Sequence, residues 1–208
     1  MAQERLITQI DYARAGKITP QMEAVAAKEH KTSEEIRAGV AKGCIAIPAN
    51  IHHAALSPEG VGEGMRTKVN VNLGISGDLM NAEMELEKVR TAIELGAEGI
   101  MDLSNHGKTH DFRKHLIDIS PAMIGTVPMY DAIGYLEKPL IGITAQDFLD
   151  VVRAHAEDGV DFVTIHAGMN RRTIENFKET GRLMNIVSRG GSLIFAWMEA
   201  TGNENPFY

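Results

Sequence analysis

Residues 68–104, KVNVNLGISGDLMNAEMELEKVRTAIELGAEGIMDLS, decide the fold. KVNVNLG reads as a short strand. After it, Ala82, Leu86, Val89 and Ile93 recur at spacings of four, three and four, while Glu83, Glu87, Lys88 and Arg90 fall elsewhere. That spacing puts the apolar residues on one face of a helix running from Asn81 to Gly96. EGIMDLS is a second strand, ending in polar Asp102, Ser104 and Asn105. A strand, an amphipathic helix and a strand with no hairpin signal between them form a parallel βαβ unit.

The same unit recurs downstream. A helix over Asp111 to Ile119 must stop before Pro121, because the residue preceding a proline avoids helical geometry. AMIGTVPMY is a third strand, with Tyr130 just past its end. Thr144, with Asp147 three residues on, opens another helix. Its inner stripe is Phe148, Val151, Val152 and His155 or Ala156, and Gly159 suits its end. DFVTIHAG is a fourth strand and NIVSRGG a fifth, with starts roughly 25 to 35 residues apart, the size of a βαβ repeat.

Five such units do not close a barrel, which needs eight strands and typically about 250 residues. The pattern therefore predicts an α/β fold: either an open doubly wound sheet or, as we read it, the first five βα units of a TIM-like (β/α)8 barrel over residues 66–208. Residues 1–65 differ in texture. TPQMEAVAAKEH and TSEEIRAGVAKG read as two helices, the second capped by Thr32 or Ser33 and stopped by Gly43, and IAIPANIHH reads as extended. This is a helical preface to the barrel.

The chain has 208 residues, 44% of them hydrophobic and 24% charged, which is enough for one sizeable core. A net charge of −7 and a pI near 5.6 argue against a nucleic-acid or acidic-membrane surface. The single cysteine, Cys44, forms no internal disulfide, and neither a signal peptide nor a long apolar run is present. A cytoplasmic setting is expected.

In parallel sheets with helical crossovers, ligands meet the carboxyl ends of the strands. Those ends here carry Asn72, Asp102 with Ser104 and Asn105, Tyr130, His166, and Ser188 with Arg189, a uniformly polar rim that core packing does not require. Asn70 and Asn72, two apart, share a strand face. In SRGGS, a guanidinium and two glycines lead into a helical segment and suit a phosphate, although a plain tight turn has the same composition. Met101 reads as a core gap-filler. His166 reads equally as a ligand contact or as a strand-end histidine satisfied by a carbonyl. His52 and His53 are adjacent, and His106 and His110 flank Gly107 in a loop, so neither pair predicts a metal site.

Taken as a set and in order, TQIDYARAGKITPQMEAVA, AIPANIHH, VNVNLG, IMDLS, GTVPMYDA, GVDFVTIHAG and IVSRGGS resemble the phosphomethylpyrimidine synthase family of radical S-adenosylmethionine enzymes. GISGD, LSNHGKT, AIGYLEK and WMEATGNENPFY look closer to its 5-hydroxybenzimidazole synthase branch. The resemblance implies a carbon-carbon lyase that converts 5-aminoimidazole ribotide to 5-hydroxybenzimidazole for a cobamide lower ligand. The pyrimidine reaction of thiamine biosynthesis is the alternative. It also implies that Asn72, Met101, Tyr130, His166, Ser188, Arg189 and Gly190 bind the ribotide, which moves Met101 from core to pocket wall.

S-adenosylmethionine, a [4Fe-4S] cluster and a divalent metal, zinc or iron, are implied as cofactors, and a homodimer as assembly. The family's paired metal-binding histidines and its three-cysteine motif have no counterpart in this chain, so it is expected to be the front part of the enzyme and inactive alone. Two readings of other classes compete. One is a ribotide-binding remnant without catalysis. The other is a cofactor-independent sugar-phosphate barrel enzyme, which would need a Schiff-base lysine or a general acid/base pair at the rim; Lys68 and Lys108 are the nearest lysines and are poorly placed.

Overall fold

The computed structural model describes residues 7–107, 109–181 and 183–208, and leaves the side chains of residues 133–135 undescribed. The chain opens with three short helices, each started by a threonine. Thr8 caps α1 (Gln9–Arg14), Thr19 caps α2 (Pro20–Glu29), and Thr32 forms a capping box with Glu35 at α3 (Ser33–Lys42). Their apolar faces close on Met22, Val25, Ile36, Val40 and Ile47. Strands β1 (Ile45–Ala46) and β2 (Val61–Gly62) follow as a small antiparallel pair.

The βα units then unfold in sequence order. They run β3 (Asn70–Leu73), α4 (Ala82–Glu94), β4 (Gly99–Asp102), α5 (His110–Ile119), β5 (Met123–Thr126), α6 (Pro128–Leu136), α7 (Ala145–Asp158), β6 (Phe162–Val163), α8 (Arg171–Thr180) and α9 (Arg189–Thr201). Strands β3 to β6 form one parallel sheet in the order β3-β4-β5-β6, each strand beside its predecessor. The register pairs Asn72 with Met101, Met101 with Gly125, and Gly125 with Phe162.

Alternation along the strands sends the two residue sets to opposite faces. Leu73, Ile100 and Ile124 pack on Val89, Phe112, Leu116 and Ile117 of α4 and α5. The other face carries Asn70, Asn72, Gly99, Met101, Met123, Gly125 and Phe162. Gly125 is a spacing device: a Cβ there would sit 2.2 Å from Phe162 Cζ and 2.7 Å from Met101 Sδ. Helix α9 closes the carboxyl end, burying Trp197 edge-on against Phe148 at 5.3 Å, with its indole N–H donating to the Ile143 carbonyl at 2.8 Å.

Two sequence expectations are corrected. NIVSRGG is not a strand: residues 183–187 join no sheet among the described residues, and Leu183 and Val187 are exposed. A two-residue apolar run makes a strand only if a neighbouring ladder receives it, and β6 is itself only two residues long. Among the described residues the sheet thus has four strands, not five. Similarly, AMIGTVPMY ends as a strand at Thr126, and Pro128 starts α6, because a proline is preorganised for the first helical position and its missing N–H costs nothing there.

The preface is bolted to the sheet by polar contacts, those of His53 being buried. The Asn50 backbone N–H donates to Asp161 Oδ1 at 2.8 Å, and the Asn50 side chain donates to the Ala156 and Val160 carbonyls. His53 lies between Asp161 Oδ2 at 2.7 Å and the Ser120 carbonyl at 2.8 Å. Both of those partners accept, so the ring is satisfied only with a proton on each nitrogen. Burial opposes that charge, yet Asp161 and the carbonyl hold the His53 pKa above its ordinary value.

Candidate functional site

A cavity of about 650 Å³ lies on the inner face of the sheet, under Ala46, Pro48 and Val61 of the preface. Asn70, Asn72, Met101, Tyr130 and Phe162 line it. Parity along the strands explains the list: residues two apart on β3 and aligned across β4 and β6 must face the same way. Met101 is packed in the core cluster and also walls the cavity.

Tyr130 sits in the first turn of α6, its N–H donating to the Val127 carbonyl at 2.8 Å, and so points across the carboxyl edge rather than along a strand. Its ring lies 6.4 Å from that of His166. His166 Nε2 is 2.9 Å from Ser188 Oγ, and Ser188 in turn caps α9 by accepting from the Gly191 N–H at 3.1 Å. The His166 Nδ1 atom is buried without a partner, and burial pushes the ring's pKa down. At neutral pH the imidazole is therefore neutral and can donate at one nitrogen while accepting at the other.

SRGG is thus neither a strand end nor a free turn. It is the N-cap and first turn of α9, with Arg189 exposed and Gly190 buried. A Cβ on Gly190 would stand 2.1 Å from His166 Cε1, so this glycine is what lets the ring lie across the helix start. The backbone N–H groups of a helix's first turn have no partners within the helix, and the helix dipole favours an anion there.

The structure thereby brings Asn72, Met101 and Tyr130 to one cavity, and His166, Ser188 and Gly190 to its Tyr130 side. Asn205 was missed in the sequence: it is buried, and its amide donates to the His166 and Met169 carbonyls at 2.8 and 2.7 Å, fixing the loop after β6. Lys68 lines the cavity, but its ammonium is bound to Glu29 and its side chain is only 8% exposed, so it is held as a charged partner rather than as a free amine. Lys108 lies outside the described residues.

Behind the sheet, Asp102 and Asp131, the neighbours of Met101 and Tyr130, turn into a buried polar network. Arg113 donates to Asp158 Oδ2 at 2.8 and 2.6 Å and to Thr109 Oγ1 at 2.8 Å, and stands 3.4 Å from Asp131. His155 links Asp131 to Thr126. Burial raises the Asp131 pKa, but the His155 hydrogen bond and the Arg113 charge outweigh it and hold the carboxyl below its ordinary value. At Asp102 burial wins, and the pKa is raised.

Residues 8–208 match the Radical SAM ThiC family. The chain belongs to that family. Its relatives include phosphomethylpyrimidine synthases of Alkaliphilus metalliredigens (strain QYMF), 64% identical over 201 residues, of Clostridium perfringens (strain SM101 / Type A), 61% identical, and of Clostridium tetani (strain Massachusetts / E88), also 61% identical. Each alignment covers 97% of this chain and 44 to 46% of the relative. The chain spans about half the length of the curated relatives it matches. All three relatives bear the name phosphomethylpyrimidine synthase, and none is a 5-hydroxybenzimidazole synthase, the branch expected from the loop sequences.

A radical SAM family implies S-adenosylmethionine and an iron-sulfur cluster. The residues of this chain do not fit the cluster. Such clusters take several thiolates, and the only cysteine, Cys44, is exposed beside β1, away from the cavity lining. Among the described residues no group of three or more His, Cys, Asp or Glu is placed to hold a metal ion, and no helix is long and apolar enough to cross a membrane.

Proposed function

We propose that this chain supplies the ribotide-binding surface of a phosphomethylpyrimidine synthase, a radical carbon-carbon lyase acting on 5-aminoimidazole ribotide. The carrying observation is the continuity of one cavity wall, Asn72, Met101 and Tyr130, with His166 and the amino end of α9. The two ends of that surface differ in chemistry as the two ends of a ribotide do. The α9 terminus, with Ser188, Arg189 and Gly190, offers unpaired amides and a guanidinium to the phosphate. Met101 and Tyr130 offer apolar and aromatic faces to the heterocycle, and Asn72 offers an amide to its polar edge.

Strands laid side by side in chain order, with α4 and α5 packed on one face and a cavity on the other, are also how a (β/α)8 barrel is laid down. We read the sheet as part of such a barrel. His166, neutral and hydrogen-bonded to Ser188, orients the phosphate end and can donate from its second nitrogen. The reacting cofactors draw their ligands from outside this chain's residues.

The test is anaerobic turnover of the whole gene product with aminoimidazole ribotide, S-adenosylmethionine and a reductant, with products resolved by mass spectrometry. The pyrimidine phosphate is expected. 5-Hydroxybenzimidazole would overturn the product assignment in favour of the other branch. No binding of the ribotide, measured by calorimetry, would overturn the site itself.

A further inference from the structure

Asn70 and Asn72 lie on the same face of β3 and both line the cavity. The Asn70 side-chain NH2 donates to Asn72 Oδ1 at 2.9 Å. Asn70 has room to do so because the residue paired with it across the ladder is Gly99, where a Cβ would lie 3.1 Å from Asn70 Oδ1. With Oδ1 engaged, the Asn72 amide is fixed in one of its two orientations, and its NH2 group, which has no partner among the described residues, is the end left for a ligand.

An unpinned asparagine presents donor and acceptor ends alike. A pinned one reads a single pattern so long as its partner keeps its own orientation, because turning Asn72 alone would set two NH2 groups, both donors, against each other.

We infer that Asn70 is a positioning residue that locks Asn72 as a hydrogen-bond donor, so that the site selects a ligand with an acceptor at that point. Resting on the ribotide reading above, this deepens it. An aminoimidazole carries one unsubstituted ring nitrogen, an acceptor, and an exocyclic amine, a donor. The locked amide takes the ring nitrogen and refuses the amine, which fixes which edge of the heterocycle faces β3.

The discriminating change is Asn70→Asp. A carboxylate only accepts, so it draws the Asn72 NH2 to itself and turns Oδ1 toward the ligand. Ribotide affinity should fall about tenfold, the loss of one hydrogen bond with an acceptor set against an acceptor. Asn70→Ala merely frees the amide and should cost only about twofold, since half of the molecules still present the donor.

Repulsion between the new carboxylate and the ligand phosphate is separated by a double-mutant cycle. In an Asn72→Ala background, Asn70→Asp should have no further effect if it acts through Asn72, and the full effect if it acts by charge. An Asn70→Ala loss as large as that of Asn70→Asp, or additivity in the cycle, overturns the inference.

A second readout needs no ligand and so stands apart from the ribotide assignment. Neutron diffraction of the deuterated whole protein should show the Asn70 amide deuterons directed at Asn72 Oδ1, and should show the Asn72 amide turned over in Asn70→Asp. Asn72 deuterons aimed at Asn70 in the unmodified protein would refute the lock even if no ribotide binds.

Discussion

The two faces of the four-stranded sheet treat polar groups in opposite ways. On the outer face, Arg113, Asp158, His155 and Thr126 are buried and joined to one another, leaving Asp131 Oδ1 as the buried side-chain atom there without a partner. On the inner face the Asn72 NH2, and beside Tyr130 the buried His166 Nδ1, have no protein partner among the described residues, and two glycines, Gly99 and Gly125, stand where side chains would fill the space. Polar groups that are buried and paired serve the fold, because unpairing any one of them is costly. Polar groups left unpaired beside a cavity wait for something outside the chain.

The largest break in that comparison is Arg113→Ala. Removing the cation leaves the buried Asp158 and Asp131 carboxylates with only the His110 and His155 imidazoles as partners, and stability should fall by about 3–5 kcal/mol. Urea denaturation reads this directly. A loss below about 1 kcal/mol would place the network with surface ion pairs and erase the contrast between the faces.

What was legible in the sequence follows the same division between local and distant causes. The Thr144 and Asp147 capping box and the Gly159 stop are local and are found, as is the stripe of Phe148, Val151 and His155, with Val152 only half-buried. The rim residues were picked out because strand ends collect ligands whatever the sequence between them, a rule that misplaces Ser188 and Arg189, which open α9, and Asp102, which is buried behind the sheet. The fate of the supposed fifth strand was not legible, since pairing depends on a neighbour that no local pattern specifies. Helix α8 was overlooked because Ile174 is its one buried residue, too thin a stripe to show a period, although Asn170 and Gly181 mark its ends. Asn205 acts on a carbonyl 39 positions away, a distance over which sequence spacing says nothing.

The histidines of the two regions sharpen the comparison through pH. His53 has its pKa raised by its partners, so its contribution is complete below the unfolded value of about 6.5 and disappears as pH rises through the folded value. His166 has its pKa lowered by burial, so it destabilises the fold as pH falls below about 6.5. A His53→Gln variant should therefore lose about 1.5–3 kcal/mol relative to the unmodified protein at pH 6, the range for hydrogen bonds to charged groups, and less at pH 9. Thermal unfolding followed across that range checks it. A deficit that grows with pH would mean that His53 is held neutral.

The smallest effect on stability belongs to Gly190→Ala, and its smallness is the point. Gly190 does not occupy the left-handed region, so alanine can take its backbone without strain. In the first turn of α9 alanine also recovers up to about 1 kcal/mol of helix propensity. Against this, the new methyl would overlap the His166 ring at 2.1 Å, and the ring must swing away from Ser188. On the outer face such a collision would be paid for in stability, as overpacked cores are. Here the ring can move, because its Nδ1 has no bond to lose and the residue is only half-buried, beside Tyr130. The melting temperature should stay within a few degrees while ribotide affinity falls at least tenfold. Equal losses in both would show that His166 is packed as core, and that the inner face is not built differently from the outer.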